Sequence, residues 1–459
     1  MTQKNKGQFF TPESVVNLML DVSDFNLSNS KIIDMKIIDN SCGDGAFLIE
    51  IIKRIIIKSQ NMNLSNEKIA SILENNIYGI ELDPIAFSNC YKNLENIRQN
   101  NNLPKIKWKI FNENTLKIFS KFINKFDLVI GNPPYVRIHN TVEDLKKFSF
   151  CKSGMTDLYI AFYEIGINML KPTGKLCYIN PSSIFNSKAA FFLRNFILEN
   201  KLLRTVIDFK HKQLFEKITT YTSIILLDNQ KSENVSFSSD LKKFYELNYS
   251  DFNIKGSWYF STRENLIWLK KILECENKTI VKNGIATLAD KIFLNEFFQN
   301  LESKYIVSAL KASTLKESKI FFPYDSNFKI ELFENFDEKI QNFLIKNKNL
   351  LLKRDLENKN IWWGFGRTQS IKDLYKIKIS VNTTVKTINS IKTKVIKNGL
   401  IFSGLYVIAE NMDQANKIEK IINNKNFINY ISILSKYKSG GYYTFNSVEL
   451  NKFISFYLE

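Results

Sequence analysis

Residues 36–57 read KIIDNSCGDGAFLIEIIKRIII: a short apolar run, a turn with two glycines, and then an apolar pattern with helical spacing. A strand that turns directly into a helix is the first part of a strand–helix–strand unit. Further strand-like apolar runs occur in FDLVIGNPPY (126–135), KLCYIN (175–180) and TTYTSIILLDN (219–229), and helical apolar spacing occurs in DLYIAFYEIGINMLK (157–171). Strands separated by roughly 30 to 50 residues, with helical connections, predict an α/β fold with a parallel sheet.

The second part of the chain has a different composition. The strand–helix alternation ends near residue 235, and aromatic clusters such as SWYF, IWWGFG and SGGYYTF follow. Residues 1–240 carry 30 basic and 24 acidic side chains (net +6), whereas residues 241–459 carry 34 and 22 (net +12). A chain of 459 residues also exceeds what one ordinary core organises. We therefore expect two domains, residues 1–240 and 241–459, the second with a mixed α+β fold.

The overall composition narrows the classes of partner and site. A net charge of +18 favours a polyanion, nucleic acid first, although an AT-rich coding sequence is another source of the lysines. Two histidines, His139 and His211, do not build a His-rich metal site, and the five cysteines form no CxxC pair. This cysteine pattern is typical of a reducing cytoplasm, where we expect the protein. No stretch of 18 apolar residues indicates a membrane span.

Two features at successive strand ends indicate a ribose-containing cofactor. Gly43 and Gly45 in the turn DNSCGDGAF (39–47) permit a tight turn and a close approach of a ligand to backbone N–H groups. The GxGxxG spacing of dinucleotide binders is absent, so an ordinary strand–helix turn remains the alternative. Glu81 ends the next apolar run, where a carboxylate suits two vicinal ribose hydroxyls. Together the loop and the acid favour the cofactor.

The sequence Asn132-Pro133-Pro134-Tyr135 follows directly after the apolar run FDLVIG. Two prolines fix the backbone and remove two N–H donors, so nearby carbonyls face outward without an internal donor. With the amide of Asn132 and the ring of Tyr135, they offer two acceptors and an aromatic face to a planar, amino-bearing group. The lone pair of an aromatic amine is delocalised. Accepting its two hydrogens moves the nitrogen toward tetrahedral geometry and frees that lone pair for reaction.

The order of these motifs resembles that of the gamma-class N6-adenine DNA methyltransferases. The segments GQFFTP (7–12), DNSCGDGAF (39–47), GIELDP (79–84) and NPPY (132–135) carry the resemblance, and WWGFGRTQS and SGGYYTF extend it more loosely into the second part. The resemblance implies a Rossmann-like S-adenosylmethionine-dependent methyltransferase sheet, followed by a DNA target-recognition domain. The implied reaction is methyl transfer to N6 of an adenine flipped out of the duplex.

The resemblance also implies which residues surround S-adenosylmethionine. They are Phe10, Thr11 and Pro12 at the methionine end, Asp39, Cys42, Gly43 and Gly45 around the amino-acid portion, Glu81 at the ribose, and Leu82, Asn114 and Phe162 at the adenine. Glu113 competes with Asn114 for the contact with the adenine amine of the cofactor. The reaction requires no covalent nucleophile, so Cys42 is interpreted as a small loop residue.

For the target base, the resemblance implies that Asn132 and the carbonyl of Pro133 accept the N6 hydrogens, in a turn made rigid by Pro134. Tyr135 would stack on the flipped adenine. A second aromatic residue is expected to close this pocket from the segment TTYTS, with Tyr221 first and Phe215 as the alternative. Either of these two rings could instead belong to the core.

In the second domain we expect contacts with double-stranded DNA. Arg367 and Gln369 are expected to read bases, and Lys386, Lys392 and Lys394 to meet phosphates. We expect a monomer, and two arrangements stay open: a separately encoded restriction endonuclease as a further partner, or an orphan regulatory enzyme without one. Three alternatives stay open: methylation of RNA, methylation of a protein glutamine, and a catalytically silent protein that keeps the fold only for DNA specificity.

Overall fold

The computed structural model describes residues 11–139, 145, 147–152, 155–215 and 220–458. The chain divides into two compact units, Met1–Leu266 and Ile267–Glu459. None of the described helices is long and apolar enough to cross a membrane.

The first unit alternates strands and helices along most of its length. Its strands are β1 (Ile37–Asp39), β2 (Ile77–Glu81), β3 (Lys109–Asn112), β4 (Phe126–Gly131), β5 (Arg137–His139), β6 (Met155–Asp157), β7 (Leu170–Pro181), β8 (Leu203–Asp208), β9 (Thr222–Asp228), β10 (Asn234–Ser238), β11 (Tyr245–Asn248), β12 (Asn253–Ile254) and β13 (Ser257–Trp258). Its helices are α1 (Glu13–Val22), α2 (Ala46–Asn61), α3 (Asn66–Asn76), α4 (Pro84–Asn100), α5 (Thr115–Ile118), α6 (Leu158–Met169), α7 (Phe191–Glu199) and α8 (Tyr249–Phe252), and α9 (Arg263–Glu274) contains the boundary.

A nine-stranded sheet organises this unit, in the order β11-β10-β8-β9-β7-β4-β1-β2-β3. Strands β3, β2, β1, β4 and β7 pair in parallel, as the strand–helix alternation predicted. Strand β9 lies between β7 and β8 and is antiparallel to both. The chain between β8 and β9 contains no helix among its described residues, and a connection without a crossover helix favours antiparallel pairing. The sheet is therefore mixed, not wholly parallel.

The sheet continues past residue 240, the boundary expected from the change in composition. Strand β11 pairs with β10 over four residues, from Asn234 opposite Asn248 to Phe237 opposite Tyr245. The rings of Phe237 and Phe260 stack, with centroids 5.3 Å apart, so the aromatic cluster SWYF packs within the first unit. The change in charge and aromatic content near residue 235 therefore does not coincide with the end of the sheet.

The second unit contains several small sheets packed with short helices. Its strands are β14 (Ile280–Asn283), β15 (Ile306–Lys311), β16 (Lys316–Phe321), β17 (Lys378–Val381), β18 (Thr384–Val385), β19 (Thr393–Ile396), β20 (Leu400–Phe402), β21 (Leu405–Ile408), β22 (Tyr437–Lys438) and β23 (Tyr442–Thr444). Its helices are α10 (Asp290–Phe293), α11 (Glu296–Gln299), α12 (Glu338–Lys346), α13 (Lys348–Leu351), α14 (Met412–Ile422), α15 (Lys425–Ile433) and α16 (Ser447–Tyr457). The sheets are β14-β21-β17-β19, β16-β15-β20 and β18-β23-β22.

A buried arginine connects three loops in the core of the second unit. The guanidinium of Arg354 donates to the carbonyl oxygens of Thr287 (2.7 Å) and Gly364 (2.9 Å), and also to that of Trp362. Burial lowers the pKa of Arg354 to about 10, and the group stays protonated at neutral pH. The loop at 287 and the WWGFG segment therefore share one cation that satisfies their carbonyls.

Replacing this cation should destabilise the second unit selectively. Arg354→Leu leaves at least three buried carbonyl oxygens without a donor, so we expect a loss of about 3 kcal/mol or more. Urea unfolding followed by tryptophan fluorescence measures it, because Trp362 and Trp363 lie in the same segment. The matched control is Lys353→Leu at the adjacent exposed position, which should change stability little. Equal effects of the two substitutions would refute the role assigned to Arg354.

Candidate active site

The turn after β1 lies at the edge of the sheet where the parallel strands end. Gly43 and Gly45 have φ angles of +56° and +94°, in the left-handed region that favours glycine. Gly45 precedes the first turn of α2. A Cβ at Gly45 would lie 2.8 Å from the sulfur of Cys90 on α4, so this glycine also permits close packing of α2 against α4. The loop geometry thus favours glycine at position 43 through its φ angle, and requires glycine at position 45 because of the contact with Cys90 as well.

Asp39 ends β1 and is buried at 1% exposure. Its Oδ1 accepts the N–H of Ser41 (3.0 Å), whereas its Oδ2 is buried without a hydrogen-bond partner among the described residues. Burial, together with the nearby charge of Glu81, raises the pKa of Asp39 to about 8, although the bond from Ser41 opposes the shift. A Cβ on Gly131 would lie 2.6 Å from Oδ1, so the end of β4 approaches the carboxyl as closely as only glycine allows.

Glu81 ends β2 and joins the glycine turn to the residues that follow β2. Its Oε2 accepts the N–H of Gly43 and its Oε1 accepts the N–H of Asp83, each at 2.8 Å. Burial raises the pKa of Glu81, although these backbone bonds oppose the shift. A carboxylate oxygen can accept more than one hydrogen bond, so the same oxygens can also accept from a ligand hydroxyl. Glu81 therefore shapes the glycine turn as well as lining the cleft beside it.

Asn132 follows β4, at the same sheet edge. Its Nδ2 donates to the hydroxyl of Thr11 (3.2 Å), and its backbone carbonyl accepts from the hydroxyl of Ser41 (3.3 Å). In this orientation the amide nitrogen of Asn132 faces the hydroxyl of Thr11, which accepts from it. Both contacts connect Asn132 to residues around the glycine turn. The first described residues of the chain therefore position the amide that follows β4.

A cleft of about 1060 Å³, including its open mouth, joins these residues. Ten residues expected at the cofactor or the target base line it: Thr11, Asp39, Cys42, Gly43, Glu81, Leu82, Asn114, Asn132, Pro134 and Phe162. Three carboxyl groups face it, those of Asp39, Asp44 and Glu81, and no lysine or arginine is among its described lining residues. Leu82 is 66% exposed at the cleft, a large apolar surface open to a flat ligand. The cleft is thus suited to a cationic ligand that also carries a ring.

Other expected residues lie outside this lining. Pro12, directly before α1, is not part of it, nor are Gly45, Pro133 and Tyr135. Phe10 lies outside the described residues. The amide oxygen of Asn114 accepts the N–H of Leu116 (3.0 Å) and caps α5, while the alternative residue Glu113 is exposed and does not line the cleft.

Tyr135 is anchored beside the cleft by its hydroxyl. The phenol donates to the carbonyl oxygen of Ile179 on β7 (3.0 Å), and the ring meets Tyr159 edge-on, with centroids 6.5 Å apart. Burial raises the pKa of Tyr135 well above its usual range, so the phenol stays protonated. Strand β7, through Ile179, and helix α6, through Tyr159, therefore hold the tyrosine beside the cleft.

The two candidates for the second aromatic wall have different surroundings. Tyr221 precedes β9 and is half-buried, and its carbonyl oxygen accepts the N–H of Ser182 after β7 (2.9 Å). Because β9 is antiparallel to β7, its first residues lie at the sheet edge where β7 ends. Phe215 is 5% exposed and belongs to the hydrophobic core. Of the two rings, Tyr221 is the one near the strand ends that carry the site.

Sequence reasoning missed several lining residues, including Asn40, Ser41, Asp44, Phe47 and Leu158. Asn40 is fully buried; its Nδ2 donates to the hydroxyl of Tyr178 (2.7 Å), and its carbonyl oxygen accepts from Thr115 (2.7 Å). Asn40, Ser41 and Asp44 lie inside the quoted glycine turn, so their position was a usable signal. The sequence contains no signal that marks Phe47 or Leu158 as site residues, because their helical apolar spacing is that of ordinary core residues.

The residues expected to contact DNA lie in the second unit. Arg367 and Gln369 are exposed, and the backbone N–H of Arg367 donates to the carbonyl oxygen of Ala286 (3.0 Å). Lys386 is exposed, with its ammonium 5.8 Å from the ring centroid of Tyr442. The other two lysines have partners inside the unit: Lys392 donates to the carbonyl oxygen of Ser313 (3.1 Å), and Lys394 pairs with Glu317 (2.6 Å).

Comparison with protein families identifies what the chain is similar to. Residues 55–215 match the family described as Eco57I restriction-modification methylase. The type II methyltransferase M.AccI of Acinetobacter calcoaceticus is 24% identical over 357 residues, covering 70% of this chain and 60% of that protein. The type II restriction enzyme and methyltransferase RM.Eco57I of Escherichia coli is 27% identical over 469 residues, covering 78% of this chain and 46% of that protein. The chain thus spans about half to three-fifths of the length of these two relatives.

A solved structure extends the likeness to the fold. The type IIL restriction-modification enzyme MmeI, solved in complex with DNA, has a TM-score of 0.60 at 12% identity, covering 95% of this chain and 64% of that one. The fold class expected from the motifs, a methyltransferase sheet followed by a second α and β unit, is confirmed. The resemblance to DNA methyltransferases is confirmed by the family match and the relatives.

The buried Asp39 predicts an unusual dependence of stability on pH. Its pKa is raised from 3.8 to about 8 in the folded protein, so the folded state binds one more proton than the unfolded state between these values. The contribution of Asp39 to the free energy of unfolding is therefore fully present below pH 4. It decreases by about 1.4 kcal/mol per pH unit as the pH rises toward 8. Asparagine does not ionise, so Asp39→Asn removes this pH-dependent loss. The free energy of unfolding of Asp39→Asn minus that of the ligand-free wild type should therefore increase by about 1.4 kcal/mol for each pH unit.

Urea unfolding at pH 5, 6 and 7 measures the effect. The control is Asn101→Ala, which changes no ionisable side chain, so its difference from wild type should stay constant with pH. A constant difference for Asp39→Asn would contradict the raised pKa.

Proposed function

We propose that this chain, which is similar to DNA methyltransferases of restriction-modification systems, transfers a methyl group from S-adenosylmethionine to N6 of an adenine flipped out of a specific duplex DNA sequence. One observation carries the proposal: the amide of Asn132, oriented by Thr11, lies at the edge of an acidic cleft beside a rigid Pro-Pro turn. In this reading the chain supplies the modification activity of such a system.

The electrostatics of the cleft support a cationic cofactor. S-adenosylmethionine supplies an electrophilic methyl group on a sulfonium centre and also carries an ammonium. Asp39 has a buried oxygen without a donor, and an ammonium or an ordered water bound there would supply one. The carboxyls of Glu81 and Asp44 add to the negative potential of the cleft. A cation relieves the repulsion between the buried acids, so burial of Asp39 is better tolerated with the ligand than without it.

The glycine turn supports the assignment of the ribose to Glu81. One carboxylate oxygen already accepts the N–H of Gly43 in the turn and the other accepts the N–H of Asp83 after β2, which fixes the carboxylate in one orientation. A fixed carboxylate presents two acceptors to two vicinal hydroxyls without further loss of side-chain entropy. The exposed side chain of Leu82 would pack on the adenine of the cofactor, and Phe162 lines the same cleft.

The chemistry proposed for the target base is one of positioning. The amide oxygen of Asn132 and the carbonyl of Pro133 would accept the two N6 hydrogens, because the amide nitrogen is directed to Thr11. Accepting both hydrogens reduces the delocalisation of the lone pair and directs it at the incoming methyl group. Held at the reacting distance, the amine needs neither a covalent intermediate nor a strong base.

Two rings are proposed to hold the flipped base. Tyr135 is fixed by its bond to Ile179 and by the edge of Tyr159, so stacking on it costs little side-chain entropy. Tyr221, at the start of β9, would supply the opposite wall. The second unit would bind the duplex, with Arg367 and Gln369 exposed on one turn and Lys386 nearby in sequence.

The central test is loss of methyl transfer without loss of cofactor binding. Asn132→Ala should lower kcat at least about a hundredfold, the size of effect seen when one preorganised polar group at a reacting atom is removed. Binding of S-adenosylmethionine, measured by calorimetry, should remain close to wild type. The assay follows tritiated methyl groups into unmethylated plasmid DNA, with mass spectrometry of the digested nucleosides.

The matched control is Asn101→Ala, at the C-terminal end of α4, where the amide bonds only the carbonyl oxygen of Ile97. It should leave methyl transfer unchanged. N6-methyladenine as the product supports the proposal, and label in cytosine, in RNA or in protein glutamine instead would overturn it. Failure of the wild type to bind S-adenosylmethionine would favour a silent specificity protein.

A second pair of substitutions separates stacking from hydrogen bonding at Tyr135. Tyr135→Phe keeps the ring and loses the bond to Ile179, so we expect kcat to fall less than about tenfold. Tyr135→Ala removes the ring and should cost at least about tenfold more than the phenylalanine substitution. Steady-state kinetics on a duplex with one target site measures both. If the two substitutions have equal effects, the ring does not stack on the base.

A further inference from the structure

A buried carboxylate in the second unit gathers three lysines around it. Asp373 is 2% exposed and accepts from Lys282 (2.6 Å), Lys376 (2.9 Å) and the hydroxyl of Tyr406 (2.7 Å). Lys378, also 2% exposed, donates to the carbonyl oxygen of Leu374 (3.1 Å) and to that of Asp373. One negative charge therefore faces three positive charges, and the cluster keeps a surplus of positive charge.

The protonation states preserve this surplus at neutral pH. Burial raises the pKa of Asp373, but hydrogen bonds from Lys282, Lys376 and Tyr406 outweigh it, so the pKa is lowered and the carboxylate is ionised. Burial lowers the pKa of Lys378 to about 8, which leaves most of the ammonium protonated at pH 7. Salt screens a partly buried charge less than a fully exposed one. The positive potential of the cluster is therefore felt at the protein surface above it.

The turn that carries Asp373 exposes a different set of side chains to solvent. Lys372 is exposed, Tyr375 is 71% exposed, and the side chain of Lys376 is 52% exposed. Asp373 and Leu374 point inward, at 2% and 3% exposure, whereas the residues on either side of this pair are exposed. We refer to Lys372, Tyr375 and Lys376 as the basic-aromatic turn. The turn therefore presents an exposed aromatic ring flanked by two lysines.

A cleft connects this turn to the residues expected to read bases. It is lined by Thr368, Lys372, Phe328, Gly364 and other residues of the second unit. The ring of Tyr375 lies against that of Phe328, with centroids 6.4 Å apart. Thr368 stands between Arg367 and Gln369 in sequence and is exposed with them. The basic-aromatic turn and the Arg367–Gln369 turn therefore share one surface.

We propose that the basic-aromatic turn binds the sugar–phosphate backbone of duplex DNA and fixes the position of the Arg367–Gln369 turn on it. The inference rests on the proposed function, since it presumes a duplex substrate. Two ammonium groups meet neighbouring phosphates, and the ring of Tyr375 packs on a deoxyribose between them. The cluster around Asp373 holds the turn in place and adds its surplus positive charge.

This assignment differs from the lysines expected from the sequence. Lys394 is already paired with Glu317, and Lys392 bonds the carbonyl oxygen of Ser313, so a phosphate would have to compete with those partners. Lys376 keeps 52% of its side chain exposed beside a carboxylate that Lys282 also neutralises. Lys372 lines the cleft and is exposed. Charge that is already neutralised contributes less to counterion release, which is why the turn is favoured over Lys392 and Lys394.

The experiment measures the salt dependence of duplex binding by the full chain. Lys372→Ala/Lys376→Gln removes two charges, while glutamine can still donate to Asp373. We expect the slope of log K against log salt to become shallower by about 1.8, from about 0.9 per phosphate contact. Tyr375→Ala carries no charge change, so it should lower the affinity several-fold and leave the slope as in the wild type. Fluorescence anisotropy from 50 to 300 mM KCl is the readout, with these concentrations chosen to span roughly the range where such slopes are linear.

The matched control is Lys417→Ala/Lys420→Ala, which removes two exposed lysines from α14 of the same unit and should leave the slope unchanged. The single substitution Lys372→Glu tests whether misfolding explains the result. It leaves the Asp373 cluster intact, and we expect it to weaken DNA binding all the same. If the wild type methylates DNA but the double variant keeps its slope, the turn is not a phosphate site and the proposed function stands. If the wild type neither binds nor methylates duplex DNA, both proposals fail. An equal slope change on duplex RNA with no preference for DNA would overturn the assignment to DNA.

Discussion

The close approach of the Asp39 carboxyl to the end of β4 is the constraint on which the site depends. Gly131 leaves room for it, since any Cβ there would lie 2.6 Å from Oδ1. That contact brings Asn132 to the glycine turn, where Ser41 and Thr11 bond it. The same contact buries the carboxyl of Asp39, whose Oδ2 has no hydrogen-bond donor among the described residues. Burial destabilises the ionised carboxylate, which is why the pKa of Asp39 is raised. Strain of this kind is expected where a binding site is prepared in advance of its ligand.

The two units use charge in opposite ways. In the first, three carboxyls and no described basic residue line the cleft, which favours a small cation. In the second, three lysines surround Asp373, and Lys372 and Tyr375 of the same turn are exposed to solvent. The overall charge of +18 hides this difference, because it sums an acidic pocket with basic surfaces. Charge is proposed to bind the duplex, and uncharged acceptors near Asn132 are proposed to act on the base.

Much of the first unit follows from the sequence, and much of the second does not. The strands at Ile37–Asp39 and Phe126–Gly131 match their apolar runs, because a buried parallel strand is a short continuous run between turns. The antiparallel β9 and the edge strand β11 depend on long-range pairing, which local pattern does not encode. At the site, the acids at strand ends were readable, whereas the Thr11–Asn132 bond joins residues 121 positions apart. The Asp373 cluster was hidden because a lysine run reads as a solvated face.

The most direct measurement of the central claim is the methylation pattern of DNA in a bacterial host that has no DNA methyltransferase of its own and expresses this chain. Single-molecule sequencing detects modified adenines together with their sequence context. A cleft for a cationic cofactor beside an amine-accepting Asn-Pro-Pro turn predicts N6-methyladenine at one recurring sequence, and its absence from DNA of a host expressing Asn132→Ala. Modified adenines that persist with the Asn132→Ala chain, or DNA without modified adenine in cells that contain folded wild-type protein, would contradict the account.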